Sequence, residues 1–346
     1  MTLGSRAAVA GAVACVCATG SIVAQRASSR IWESGSWRNV GLIAHDAGVL
    51  DQPRSIARAP NALYAFDAGP GSIVALDLDG RVRWRYTPPD SLRFNADRVV
   101  ALAAGPDGGV WAADPNSGRC LVLSPLGTIE RVILMHDSPH LAPRSDGSFW
   151  KASYMTLAPT LFDAHGHRVR ALRLPATVVA PVNAVGDAIL ALEGDTLVIA
   201  YRTAGRFVFA PPHGVARDVR AVEPRAFVRF RESDVTIGGR SVHTFKAGAD
   251  EPPATLGLAS EAGVVYVLYW NEGGTPDDHE RTLDMYRLSS GMYVGSRRLP
   301  LPSTAIAVSG DDVYALTDGG DLHIWRWIPD ALKGRTGLPA TPRLFR

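Results

Sequence analysis

Two small groups of residues in this chain could do chemistry, and each admits a different kind. In "DAHGHRV", His165 and His167 flank Gly166, with Asp163 just upstream. Imidazole and carboxylate in such proximity suit Zn or Cu, but the matching positions of other units, "DLDGR" and "SPLGT", favour a polar hairpin tip on the outer part of a blade. In "NEGGTPDDHERT", residues 271–282, Glu272, Asp277, Asp278 and Glu280 offer the hard oxygen donors that Ca²⁺ takes. The spacing is not that of an EF-hand loop, and a Gly-rich acidic hairpin is more simply a solvated one. With Trp270, Asn271 and His279 the same stretch reads as a candidate binding surface.

Other sequence signals are blander. No GxSxG elbow, HExxH helix, P-loop or complete GxGxxG is present. "GPGSIV" at Gly69 lacks the third glycine and any following helix, so it reads as a hairpin turn. His136 and His140 bracket the short loop "DSP". Cys120 lies in the apolar run "RCLVLS", which predicts a buried, inert thiol.

All of these groups depend on the elements that hold them, and a repeat supplies those elements. Asp67 precedes Gly80, Asp114 precedes Gly127, Ser153 precedes Gly166 and Tyr201 precedes Gly214, each by the same interval. Three residues before each first marker stands Tyr64, Trp111, Trp150 or Val198. Between the markers lie short apolar runs such as "LYAFD" and "IVALD", joined by turn-forming "AGPGS". Runs such as "GVVYVLYW" are apolar on both faces, which predicts sheets buried between sheets. A unit of this length fits a four-stranded propeller blade. Units fall near 55–90, 98–135, 140–176, 183–222, 254–300 and 303–329. This predicts an all-β propeller of six four-stranded blades, with seven as the alternative.

Two stretches lie outside the units. "SWRNVGLIAHD" (36–46) is expected to supply the strand that closes the ring on the last blade. "RAFVRFRESDVTIGGRSVHTF" (225–245) is read as a long connection with its own hairpin, the alternative being half of a seventh blade. Trp111, Trp150, Tyr266 and Tyr314 share one repeat position and are expected to be blade-packing residues, whereas Trp270 escapes the pattern.

The phrases "YAFD…IVALDLDGRV" and "WAAD…LVLSPLGTI" resemble the NHL-type, six-bladed β-propeller proteins of bacterial exported proteomes, over roughly residues 36–329. The resemblance implies a fold and, for most characterised members, a binding platform. Related propellers include calcium-dependent lactonases, which draw carboxylate and Asn ligands from several blades at the axial opening; that resemblance makes Asp97, Asn183 and Asp187 the candidates here. "IVALDLDGRVRWRY" also resembles the repeat of quinone-dependent dehydrogenases and their membrane-assembly relatives. There a Trp recurs after the turn. Here Trp84 has Arg131, Arg170 and Asp218 as its counterparts, so that pattern fails.

Composition sets the remaining bounds. Of 346 residues, 36 are basic and 34 acidic, with only Lys151, Lys246 and Lys333 as lysines. No basic stripe of the kind nucleic acid requires is present. "MTLGSRAAVAGAVACVCATGSIVAQ" has a positive start, an apolar middle and small-residue cleavage sites, the layout of a secretory signal peptide. The alternatives are an uncleaved anchor or a lipid-modified Cys. Removal would also take Cys15 and Cys17, leaving Cys120 alone.

The expected organisation is therefore a signal peptide over 1–25, a propeller over 36–329 and a flexible tail over 330–346. The expected product is a periplasmic or extracellular monomer with no membrane span in its mature form. Its preferred function is non-catalytic: binding a protein, peptide or glycan through loops on one face, at Trp270, Asn271, Glu272, Asp277, Asp278, His279 and Glu280. No cofactor is expected. The alternative is a lactonase-like, Ca²⁺-dependent hydrolase working in the axial pocket, with catalytic residues unassigned.

Overall fold

The computed structural model describes residues 30–43, 48–94, 100–135, 140–154, 156–178, 186–223, 225, 230–237, 240–247, 253–270, 279–330 and 343–344. Among these, the chain is built of β-strands with one 3-10 turn at Asp90–Leu92 and no α-helix. Strand β1 (Gly35–Ile43) comes first. Blade I follows as β2 (Pro53–Ala59), β3 (Ala62–Asp67), β4 (Ser72–Leu76) and β5 (Val82–Tyr86). Blade II is β6 (Ala101–Ala104), β7 (Val110–Asp114), β8 (Arg119–Leu123) and β9 (Ile129–Leu134). Blade III is β10 (Leu141–Pro143), β11 (Phe149–Lys151), β12 (Thr160–Phe162) and β13 (Arg168–Ala171). Blade IV is β14 (Ala188–Glu193), β15 (Thr196–Tyr201), β16 (Arg206–Ala210) and β17 (Arg217–Arg220).

Next comes a separate antiparallel hairpin, β18 (Phe230–Ile237) and β19 (Arg240–Ala247), in the connection expected to hold one. Blade V is β20 (Thr255–Glu261), β21 (Val264–Tyr269), β22 (Thr282–Arg287) and β23 (Tyr293–Arg298). Blade VI takes β24 (Ala305–Ser309), β25 (Asp312–Leu316) and β26 (Leu322–Pro329) from the end of the chain and β1 from its start. β1 and β26 pair antiparallel from Gly35↔Pro329 to Ile43↔Leu322, so the ring closes as its sequence predicts. Arg343–Leu344 (β27) returns from the tail as a short parallel strand on β1.

The innermost strands form a closed circle: β2 neighbours β6, then β10, β14, β20, β24 and β2 again. Six apolar clusters fill the six interfaces between blades. Tyr64 and Phe66 of blade I pack with Val110, Ala112 and Leu121 of blade II. Equivalent clusters follow around the ring, ending with Tyr314 and Leu322 of blade VI against Leu63 and Val74 of blade I. This is why strands such as Ala62–Asp67 are buried at every position: both sheet faces meet another sheet. Each wholly buried large side chain contributes about 1.5–3 kcal/mol, so the ring is held by its interfaces, and among the described residues there is no disulfide. Cys120 is fully buried, and burial raises its thiol pKa far above the ordinary value.

The marker residues have physical roles. Gly80, Gly127, Gly166 and Gly214 all adopt φ between +83° and +104° in the last turn of their blades, a conformation that costs other residues. Asp67 is 1% exposed; its carboxylate accepts the Asp51 and Gln52 N–H groups and pairs with Arg85 at 2.9 Å. Tyr64, Trp111, Trp150, Tyr266 and Tyr314 are all buried between blades, as expected. The residue on the outer strand of the same row covers the aromatic with changing chemistry. Trp84 lies 5.7 Å from the Tyr64 ring, Arg131 stacks 4.9 Å over Trp111 and Arg170 stacks 5.2 Å over Trp150. In blade IV the counterpart is Arg217, not Asp218: Val198 pairs with Phe209, and Phe209 with Arg217. Blades I to III carry a bulge between their last two strands that blade IV lacks, so counting from the glycine there overshoots by one residue.

Candidate functional site: the axial channel and the upper face

The six innermost strands run in the same sense around the axis. The end where they begin is here the upper face, and the end where they finish the lower face. Lower-face turns are short, such as Gly194–Asp195 and Ala262–Gly263. Every long connection leaves from the upper face: residues 87–100, 152–159, 172–187, 221–254 with the β18–β19 hairpin, and 270–281. Each blade-to-blade connection runs from an outermost strand to the next innermost one, so the propeller topology itself gathers these connections on one face.

Of the sequence-nominated binding residues, Trp270, His279 and Glu280 are described; Asn271, Glu272, Asp277 and Asp278 lie outside the described residues. Trp270 is half-buried on the upper face, its N–H donated to the Ala254 carbonyl at 2.9 Å. Its ring meets that of His279 at 4.7 Å, so the two ends of the insertion are clasped together. Glu280 sits at φ +61°, and its carbonyl accepts the Ser303 N–H at 2.9 Å. Burial, then the nearby Asp318 carboxylate, raises the Glu280 pKa above the usual carboxylate value. Asp318 lines the channel mouth, so the base of the insertion lies beside the axis.

The channel has a volume of about 920 Å³ and is lined by the first strand of all six blades. Its wall is mainly Ala, Leu, Ile and Pro, with charge confined to the two mouths. On the lower side Arg58 of blade I pairs with Glu261 of blade V at 2.6 Å. Glu193 of blade IV accepts the Gly263 N–H with one carboxylate oxygen, while the other is buried without a hydrogen-bond partner. On the upper side Arg202 of blade IV approaches Asp187 at 3.5 Å, and its Nε is buried without a partner. Burial raises the Asp187 pKa, against the pull of Arg202. Beside them His140 is pushed down to about 3, first by burial and then by the Arg202 charge.

Of the trio that the lactonase resemblance implies, only Asp187 is among the described residues. Asp187 faces Arg202, whereas Asp97 and Asn183 lie outside the described residues. Among the described residues, no three His, Cys, Asp or Glu side chains converge on a point where a cation could sit. His165 and His167 occupy an exposed hairpin tip, where the Asp163 carboxylate accepts both of their backbone N–H groups. His136 lies outside the described residues. "GPGSIV" forms the turn between β3 and β4, with Gly71 at φ +63°. Sequence reasoning missed Arg58, Glu193, Arg202 and Glu261, because they stand singly at strand ends in different blades and share no local pattern.

No family model and no curated protein sequence matches the chain. Solved structures do match in fold. Virginiamycin B lyase from Staphylococcus aureus superposes with a TM-score of 0.51 at 12% identity, over 85% of this chain and 99% of that one. The RRP9 WD40 repeats give 0.52 at 11% identity, over 85% and 100%. The Neurospora crassa Pan2 WD40 domain gives 0.50 at 10% identity, over 86% and 97%. At such identities the likeness is one of fold, and fold alone does not assign chemistry.

Proposed function

We propose that this chain is an exported, non-catalytic binding propeller that engages a protein, peptide or glycan through the loops of its upper face. The observation that carries the reading is the asymmetry of the ring: short turns below, and all long connections, including the Trp270–Arg281 insertion, above. Residues 270–272 and 277–280 are assigned to the contact surface. Two fold neighbours, RRP9 and Pan2, carry WD40 domains of the same overall architecture. The resemblance of the repeats to NHL-type exported propellers supports the same role.

Export is supported by the first 25 residues, which have the layout of a cleaved signal. Cleavage anywhere before residue 25 leaves intact the first described residue, Arg30, which is already anchored in the fold. The mature product is read as a monomer.

A second reading keeps the metal-dependent hydrolase in view. Glu280 and Asp318 bring two carboxylates to the upper mouth of the channel, and a propeller of this shape serves catalysis in virginiamycin B lyase. The described donors nevertheless fall short of a cation site, so the binding reading stands first.

Site-specific photo-crosslinking in cells tests the proposal. A photoreactive side chain placed at Trp270 or Asn116, both on the upper face, is expected to give discrete adducts. The same side chain at Leu126, on a lower-face turn and 80% exposed, is expected to give none. Adducts of equal yield from both faces, or from Leu126 alone, would overturn it.

A further inference from the structure

The axial channel has features that the upper-face loops do not explain. Each innermost strand hydrogen-bonds on one side only, β2 to β3, β6 to β7, β10 to β11, β14 to β15, β20 to β21 and β24 to β25. Their other edges line the channel and carry backbone N–H and C=O groups free to pair with a ligand's own amides. Between these edges the side chains are small and apolar. A hydrocarbon chain would leave the edge groups unanswered, whereas an extended peptide backbone answers them.

The two mouths differ in charge. At the lower mouth Glu193 keeps one buried carboxylate oxygen unpartnered, Asp195 is exposed, and Arg58 is already paired with Glu261. At the upper mouth Arg202 pairs with Asp187 through Nη1 but keeps its Nε unpartnered, and Arg54 is exposed, with Asp318 as an exposed acid. Glu193 closes the strand that begins at Ala188 beside Asp187 and Arg202. That strand of six residues spans about 20 Å, at ~3.3 Å per residue. An extended peptide of about five or six residues covers the same distance. The channel volume of about 920 Å³ is at the large end of the range for enclosed small-ligand sites.

We infer that the channel is a second binding site, for a short apolar peptide lying along the axis with its ammonium end at Glu193 and its carboxylate end at Arg202. This site is distinct from the upper-face surface and goes beyond the proposed function. It gives the molecule a small ligand as well as a large partner.

Titration calorimetry on the purified mature chain tests it, with a pentapeptide of alternating alanine and leucine carrying free ends. Saturable one-to-one binding is expected. Acetylating the amine or amidating the carboxylate is expected to weaken binding about tenfold each, the size of one charge-assisted hydrogen bond. Glu193→Gln keeps an acceptor for the Gly263 N–H, so it removes charge without removing the turn contact. It should weaken the free peptide by a similar factor and leave the acetylated one unaffected. Arg202→Gln should behave likewise towards the carboxylate. No saturable binding of the free peptide would overturn the inference, and so would equal affinity for free and blocked peptides. The blocked-peptide comparison uses the unmodified protein and so stands even if a variant fails to fold. Shortening the 271–278 insertion leaves the channel site intact and its binding unchanged, which separates failure here from failure of the upper-face reading.

Discussion

His140 shows what a single residue contributes to the channel and what it costs. It stands half-buried at the upper mouth beside Arg202, and burial with that positive charge holds it neutral, with its pKa pushed down to about 3. An unfolded chain protonates the same imidazole near pH 6.5. Between those values the unfolded state therefore binds more protons, so stability rises with pH across the window and is lost as pH falls through it. His140→Gln removes the group, and its melting temperature should fall less between pH 7 and pH 4 than that of the unmodified chain. Some slope remains, because burial also lowers the His323 pKa. An unchanged pH profile in the variant would show that His140 is not the group responsible. None of this is visible in the sequence, where His140 is one of nine scattered histidines. Its environment is made by an arginine from the next blade.

Among the elements, the strap before β1 is the least expected. Residues 30–34 run along the outer strand of blade V, bridging at Trp32↔Ser296, before the chain crosses to blade VI. Gly295 leaves the room: a side chain there would meet Glu33 and the Ile31 carbonyl. Arg30 is the anchor, its guanidinium pairing with Asp284 at 3.0 Å and with Glu223, over the Tyr269 ring. Asp284 is wholly buried, so Arg30→Met strands a carboxylate with only the Ser296 hydroxyl nearby. Removing one partner of such a pair costs about 3–5 kcal/mol. The variant is expected to unfold at a distinctly lower urea concentration, with much of the loss recovered by the double variant Arg30→Met, Asp284→Asn. A wild-type midpoint for the single variant would contradict the anchoring role. The blades were legible in advance because, in four of them, a left-handed glycine in the last turn and a large apolar residue at the interface recur at fixed spacing. The strap was not, since Arg30 and Asp284 are 254 residues apart and belong to no repeat. The one slip inside the repeat, Asp218 for Arg217, came from a bulge present in three blades and missing in the fourth.

For the whole molecule, closure determines what the protein can do. The first and last parts of the chain share one sheet, the six interfaces bury both faces of strands such as β3, β4 and β7, and the axis remains open as a channel. The long connections leave from one face of this ring, the face proposed above as the contact surface. Of the described acids at the mouths, Glu261 is engaged by Arg58, Asp187 by Arg202 and Glu193 by a backbone N–H, Asp195 and Asp318 are exposed, and no three of them converge on a common point. The most direct measurement is the metal content of the purified mature chain by mass spectrometry, paired with melting curves with and without EDTA. A non-catalytic binding ring held together by its blade interfaces predicts no stoichiometric divalent ion and superimposable melting curves. One equivalent of Ca²⁺, with a clear fall in melting temperature on chelation, would contradict that account and put the metal-dependent hydrolase in its place.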